Sequence, residues 1–225
     1  MIILVTAGNT ATPIDEVRCI SNIFTGRTGY SIADTAYRMG HDVKLLTSDQ
    51  TAEVIHAANW RSHFHIEYYK TFNELEALMA KEITSDRYDA VVHSAAVSDY
   101  KVEGVFDAQF KDVSAGKVKS SSNNLWLKLV PTPKLVDKIC NEWDFHRILV
   151  KFKLEVGITD NELLRIAEAS RKHSMATMMC ANTLENMNEY AYLGCEVYEK
   201  IPRPQLAFRI VRELEIIYDS GRSYI

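Results

Sequence analysis

The sequence predicts an α/β fold, a Rossmann-like, doubly wound and mostly parallel sheet flanked by helices. Three observations carry that prediction. Short apolar runs rich in β-formers recur along the 225 residues, as strands buried on both faces require. Stretches with apolar residues at helical spacing lie between them. The two kinds of segment alternate, and repeated β-α-β units give parallel strands joined by right-handed crossovers.

The elements follow in order. Ile2 to Thr6 is a fully apolar strand. Tyr30 to Met39 is a helix, with Ile32, Ala33, Ala36 and Tyr37 on one face and Gly40 as its stop. Asp42 to Leu46 returns to strand. Ile55 to Tyr69 holds a short strand on which His63 and His65, two apart, share a face; with no third ligand in view they read as a solvated face rather than a metal site. Thr71 to Glu82 is helical through Phe72, Leu75, Leu78 and Met79, and Tyr88 to Val92 is a buried strand. Leu149 to Phe152, Glu162 to Arg171 and Met175 to Cys180 add a strand, a helix and a strand. Val102 to Lys128 is the least regular stretch, a long connection carrying lysines and the run Ser120-Ser121-Ser122-Asn123-Asn124. A connection that long in a compact domain is usually functional or mobile. One domain over residues 1–225, with a strap loop at about 102–124, accounts for the whole pattern.

Composition sets limits. A chain of this size buries roughly 70% of its unfolded surface, so it needs no disulfide or metal to fold. It is 47% hydrophobic and 25% charged, as soluble globular proteins are. A net charge of −4 gives no support to nucleic-acid or anionic-membrane binding. No apolar run approaches the ~20 residues that span a bilayer. The opening MIILVTAG lacks the basic start and the length of a signal peptide. Cys19, Cys140, Cys180 and Cys195 form no CxxC pair and read as small buried hydrophobes in a reducing, cytoplasmic setting.

Ligands of open α/β sheets bind beyond the carboxyl ends of the strands, which directs attention to three post-strand segments. The first runs from Thr6-Ala7-Gly8-Asn9-Thr10 through Arg18 and Asn22 to Thr25-Gly26-Arg27, where a helix opens. Small residues let backbone N–H groups approach a ligand, and a helix N-terminus beside an arginine favours a phosphate. The G-x-G-x-x-G dinucleotide spacing is absent, so a glycine-rich turn with a helix cap is an equal reading. The second is His93-Ser94-Ala95-Ala96-Val97-Ser98-Asp99. Its small residues leave room for a flat base or ribose; Asp99 serves a metal, an amine or simply a turn. The third is Gly116-Lys117-Val118-Lys119-Ser120, whose lysines could meet phosphates or water.

Taken together and in this order, the segments resemble the phosphopantothenate–cysteine ligase family. TAGNTATPIDEVRCISNIFTGRTG, Thr6 to Gly29, is similar to its opening pattern. Ala95 to Asp99 is similar to its AAVSD motif, and Lys117 to Ser120 to its strap. The TPK-L segment ends at Leu135, the FKLE block spans Phe152 to Glu155, and Ala181-Asn182 stands for its AN motif. The resemblance covers residue 2 to about 185. A strand at Cys195 to Tyr198 and a helix at Gln205 to Tyr218 fit its last β-α unit by pattern.

The resemblance implies a mechanism. A carboxylate does not react with an amine at neutral pH until it is activated. In this family the phosphopantothenate carboxylate attacks the nucleotide's α-phosphate and releases pyrophosphate. Cysteine's amine then attacks the acyl-nucleotidylate and expels the nucleoside monophosphate. The implied catalytic residues are Asn22, Lys117 and Arg18. Lys117 would neutralise triphosphate charge, Asn22 would polarise the acyl carbonyl or orient the amine, and Arg18 would hold substrate or order the Asn22 loop. Ser94, Ala95, Ala96, Asp99, Lys117, Val130, Thr132, Pro133 and Phe152 would face the nucleotide. Gly8, Asn9, Thr10, Thr25, Gly26, Arg27 and Asn182 would hold phosphopantothenate. Mg²⁺ would accompany CTP, or less favourably ATP, with few direct protein ligands; no residues for flavin are visible. A homodimer is implied, with the strap reaching toward the neighbouring subunit, and a separate phosphopantothenoylcysteine decarboxylase follows from pathway logic.

Some positions depart from the family's pattern. Asn9 replaces the second glycine of GGT, so that backbone must avoid positive φ or use asparagine's tolerance for it. Val156, Thr177 and Thr183 replace its threonine and two aspartates. The helix before Met175 lacks two regularly placed lysines, and Lys172 and His173 are the nearby substitutes. These changes fall on the nucleotide side. They motivate an alternative, a diverged non-catalytic nucleotide-binding protein of the same fold.

Overall fold

The structure is a computed structural model describing residues 1–48, 62–114, 116–118 and 124–221. In chain order the elements begin with β1 (Ile2–Ala7), β2 (Ala11–Pro13), β3 (Cys19–Ser21), α1 (Arg27–Arg38), β4 (Asp42–Ser48), β5 (Phe64–Tyr69) and α2 (Phe72–Ile83). The middle of the chain gives β6 (Ala90–His93), β7 (Tyr100–Phe106), β8 (Trp126–Pro131) and α3 (Leu135–Asn141). Then come β9 (Ile148–Glu155), α4 (Asp160–His173), β10 (Met178–Thr183), β11 (Tyr190–Cys195), β12 (Val197–Pro202) and α5 (Leu206–Ser220).

The central sheet has the order β12-β11-β10-β9-β6-β1-β4-β5. From β5 to β10 every pair is parallel; β11 and β12 close the far edge antiparallel. The fold class the sequence predicts is therefore present. Strand order reverses between β1 and β6, which makes that junction the topological switch point and the natural ligand crevice.

Apolar side chains divide between the two faces as strand alternation dictates. Ile3, Val5, Val43, Val92 and Val150 face α1 and α5, meeting Ile32, Ala36, Ile210 and Leu214. Leu4, Leu46, Val91 and Leu149 face α2 and α3 through Leu75, Met79 and Ile139. On that second face α4 covers Met179 and Ala181 of β10 with Leu163 and Ala167. Thr71 with Glu74 and Thr159 with Glu162 close capping boxes that start α2 and α4. Gly29 lets the first turn of α1 lie against β1: a Cβ there would sit 2.9 Å from the Thr6 carbonyl oxygen and 2.4 Å from Ser94 Oγ.

Several expectations change. The ends of the irregular stretch, Tyr100–Phe106 and Trp126–Pro131, pair as an antiparallel arm with a register shift between Val102 and Gly104. Lys119 to Asn123 lie outside the described residues, as does 55–61 of the expected Ile55–Tyr69 strand. Cys195 to Tyr198 is the turn of the β11–β12 hairpin rather than one strand. Glu196 turns the chain at φ 58, and Gly194 admits the Val197 carbonyl where a Cβ would lie 2.1 Å away. Cys140 and Cys180 are buried as expected, but Cys19 is exposed and Cys195 only half-buried. Cys19 sits on the small β2–β3 sheet, whose β3 residues are all exposed.

A polar row interrupts the second face. Thr6, His93 and Lys151 are register partners across β1, β6 and β9, and all three are buried. The His93 Nδ1 and Thr6 Oγ1 are 2.9 Å apart. Lys151 Nζ donates to the Ser170 carbonyl at 3.1 Å and to Ser174 Oγ at 2.5 Å; Ser174 in turn donates to Asp137. Burial, then the charge of Lys151, pushes His93 down to about 4 from its ordinary 6.5. Burial also lowers Lys151, with Lys153 and Lys134 adding to the effect and Asp137 opposing it.

The His93 shift makes a prediction. Below pH 6.5 the unfolded chain takes up a proton that folded His93 refuses, so stability falls between about pH 6.5 and about 4. At one histidine this amounts to roughly 2–3 kcal/mol at pH 4.5. Urea unfolding of the native protein and His93→Gln at pH 7 and 4.5 is expected to show a smaller acid loss in the variant. Equal losses would remove His93 as the cause.

Candidate active site

The switch point is built from glycine outward. Gly8, just past β1, has φ +89, and a Cβ there would meet Ser48 Oγ at 2.2 Å. Both facts restrict the position to glycine. The turn sends Asn9 into the crevice, where it is 3% exposed. Asn9 is not at positive φ, so the departure from the glycine pair has no backbone penalty. Its side chain supplies a contact instead: Asn9 Nδ2 donates to the Asn22 carbonyl at 2.6 Å.

Asn22 then reaches across the crevice, with Nδ2 donating to the Ala96 carbonyl at 2.9 Å. Ala96 returns the link, its N–H donating to the Gly8 carbonyl at 2.8 Å. Residues 8–9, 22 and 96 therefore form one hydrogen-bonded ring of segments. Thr6 holds the start of the second segment: its Oγ1 accepts from Ala95 N–H, and its carbonyl accepts from Ser94 Oγ. Thr10 Oγ1 accepts from Ser98 N–H at 2.8 Å. Thr132 donates its hydroxyl to the Ser98 carbonyl and its N–H to the Asp99 carbonyl, which brings Val130 and Pro133 beside the same loop. The exposed Asp99 carboxylate pairs with Lys134 at 2.5 Å.

Gly26 caps α1 in the left-handed conformation, φ 85, with no side-chain hydrogen bond to the helix. The orphan N–H groups of the first turn stay open to an anion. Arg203, just after β12, donates to Thr28 Oγ1 in that turn. Sequence reading missed it, since nothing local to Arg203 marks it as a neighbour 175 residues away. Asn182 is buried at the end of β10.

The third segment arrives over the β2–β3 turn. Lys117 is exposed and forms no ion pair among the described residues. Its neighbour Val118 is 4% exposed. Val118 N–H donates to Asp15 Oδ2 at 3.2 Å, and Arg18 Nη2 donates to the Val118 carbonyl at 3.0 Å. Arg18 also forks onto Asp15 Oδ2 through Nε and Nη2. The Arg18 side chain, followed by the backbone N–H of Val17, holds the Asp15 carboxyl far below the usual carboxylate range. Arg18 is thus engaged with the strap of its own chain.

The two substitutes named for the helix lysines stand elsewhere. Lys172 pairs with Glu168 and lines a cavity of about 570 Å³ at the amino ends of the strands, among Asp89, Ile148, Thr177 and Tyr218. His173 faces Asp137 at 3.4 Å. The ammonium that lies among Ser170, Ser174 and Asp137 belongs to Lys151. Phe152 is half-buried and packs against the first-face core that α1 and α5 cover.

Comparison with known proteins identifies the family. Residues 1–193 match the family described as DNA/pantothenate metabolism flavoprotein C-terminal domain. The chain is 31% identical over 220 residues to the coenzyme A biosynthesis bifunctional protein CoaBC of Thermococcus kodakarensis, covering 95% of this chain and 50% of that protein. It spans about half the length, or less, of the curated relatives it matches. Among solved structures, the DNA/pantothenate metabolism flavoprotein from Streptococcus pneumoniae superposes with a TM-score of 0.83 at 25% identity, covering 96% of this chain and 99% of that one. A Cab2 mutant complexed with phosphopantothenate-cysteine shares the fold at a TM-score of 0.74 and 17% identity, covering 97% and 86%. The chain belongs to the DNA/pantothenate metabolism flavoprotein C-terminal domain family.

Proposed function

We propose that this chain is a phosphopantothenate–cysteine ligase that activates the phosphopantothenate carboxylate with CTP, and less favourably with ATP. The observation that supports the reading is the ring joining Asn9, Asn22, Ala96 and Gly8, which ties the segment leading into α1 to the loop after β6.

The chemistry proceeds in two displacements. A carboxylate oxygen of phosphopantothenate attacks the α-phosphorus; the P–O bond to the β-phosphate breaks, and pyrophosphate leaves. The cysteine nitrogen then attacks the acyl carbon; the C–O bond to the nucleotide breaks, and the amine loses a proton as the amide forms. Charge on oxygen grows in both steps, so positioning and electrostatic stabilisation dominate. Thr25, Gly26, Arg27 and the N-terminus of α1 hold the pantothenate phosphate, with Gly8, Asn9, Thr10 and Asn182 around the acid. Ser94, Ala95, Ala96, Asp99, Thr132 and Phe152 border the nucleotide, and Lys117 meets its triphosphate. Asn22 stands between the two halves and orients the acyl group or the amine.

Magnesium, carried by the nucleotide, would offset phosphate charge. Such a cation is held mainly by phosphates and water. Asp99 is the acidic side chain on the nucleotide loop that could reach it.

A homodimer completes the proposal. Tyr100, Phe110, Trp126 and Leu129 are exposed on or beside the β7–β8 arm, and Phe110 stacks on Trp126 at 5.6 Å. Apolar rings displayed on one arm suit a subunit interface. Light scattering at micromolar concentration is expected to give the mass of two chains, and a monomer would count against the interface. The product keeps a free cysteine carboxylate, the group that a separate phosphopantothenoylcysteine decarboxylase would remove.

Pyrophosphate release with phosphopantothenate and either CTP or ATP tests the reaction. Faster release with CTP is expected; release with neither overturns the proposal in favour of a non-catalytic nucleotide binder. In Asn22→Ala, pyrophosphate release is expected to survive while coupling to cysteine fails, so acyl-nucleotidylate accumulates. Full coupling in that variant would remove Asn22 from the mechanism. Lys117→Ala is expected to raise the nucleotide KM roughly ten- to a hundredfold, the worth of one charge-assisted phosphate contact. An unchanged KM would reject the role of Lys117.

A further inference from the structure

Asp15 has no role in binding or chemistry by its own reach. Its side chain has no solvent exposure, and its two oxygens are spent on N–H donors. Those oxygens divide the work. Oδ1 accepts from the N–H groups of Val17 and Arg18, at 3.0 and 2.9 Å. That is a local turn of a common kind. Oδ2 looks outward: it takes Arg18 Nε and Nη2, and it takes the N–H of Val118 from 103 residues away.

The same Arg18 that Oδ2 fixes then donates to the Val118 carbonyl. One residue of the strap is therefore gripped at both of its backbone polar groups, N–H by the carboxylate and C=O by the guanidinium. A carboxylate and a guanidinium aligned on one another are rigid donors and acceptors. Gripping N–H and C=O together sets the direction in which the strap runs past the site. Val118 buries its side chain in the same place. Gly116 enters with φ +64 and open space around its Cβ position, so glycine serves the backbone turn there rather than a tight fit. Between the turn and the grip stands Lys117, exposed and unpaired among the described residues.

We propose that Asp15 is a positioning residue for nucleotide use: with Arg18 it docks Val118 of the strap, and so fixes where the Lys117 ammonium meets the triphosphate. This rests on the ligase reading for the identity of the anion, but the docking itself does not. Asp15 acts only through Lys117. Its contribution therefore exists only while Lys117 is present.

Asp15→Asn isolates the contact. The amide keeps one oxygen for the local turn and sets an NH₂ group against the Val118 N–H and the Arg18 guanidinium. Kinetics of the native protein, Asp15→Asn, Lys117→Ala and the double variant form a cycle. The nucleotide KM of Asp15→Asn is expected to rise about tenfold with the phosphopantothenate KM unchanged. In the Lys117→Ala background the same change is expected to have no further effect. Additive effects, an equal rise in both KM values, or an unchanged nucleotide KM would each overturn the proposal. Exchange of the Val118 amide, followed by NMR, reads the docking without catalysis. It is expected to be slow in the native protein and at least tenfold faster in Asp15→Asn. Equal exchange would overturn the dock. Inactivity of the native protein with every nucleotide would fall on the ligase reading, and the amide measurement would still decide the dock.

Discussion

The hydrogen bonds from Asn9 to the Asn22 carbonyl and from Asn22 to the Ala96 carbonyl are the constraint on which the site depends. At the switch point β1 hands its chain to α1 on one face, and β6 hands its chain to the opposite side. Backbone that diverges this way leaves a crevice whose walls have no reason to keep register. Two asparagine side chains supply the reason. Asn9 is buried, where an unpaired amide would be costly, and Asn22 is half-buried, so the pairing and the crevice geometry are fixed together. Gly8 makes it possible by turning where no side chain fits.

Charge is distributed around that crevice against the sign of the whole chain, which is −4. Arg27 opens α1, and Arg203 donates to Thr28 in its first turn. Lys151 is a buried cation on the second face with no carboxylate as a direct partner among the described residues; Asp137 reaches it through Ser174. Burying an ammonium without a direct counter-ion opposes folding, and the lowered proton affinity of both Lys151 and His93 records that opposition.

The fold was legible because its signals are strong and local. Apolar runs at β1, β6, β9 and β10 and the periodic faces of α1, α2 and α4 are set by burial alone. The short elements were not legible. Strands of three residues at β2 and β3 and the seven-residue α3 carry too little periodicity to stand out. The β11–β12 turn hid because Glu196 adopts a left-handed conformation usually given to glycine or asparagine. Motif order named Gly8, Asn9, Asn22 and Ala96, which lie on hydrogen-bonded segments. The contacts that align them were hidden, because Asp15 with Val118, Arg203 with Thr28 and Lys151 with Ser174 are distant in sequence. Lys172 shows a different limit of sequence reading. Nearness in sequence to a vacant position suggested it, yet its place on α4 points it toward the amino ends of the strands.

A crystal structure with phosphopantothenate and an unreactive triphosphate analogue bound together tests the central claim most directly. The account predicts one continuous cleft. The pantothenate phosphate lies against Thr25 to Arg27, the triphosphate lies against Lys117, and Asn22 sits between them with a carboxylate oxygen about 3–3.5 Å from the α-phosphorus. Ligands lodged on separate surfaces, with Arg27 and Lys117 facing different solvent regions even across a subunit interface, would contradict it.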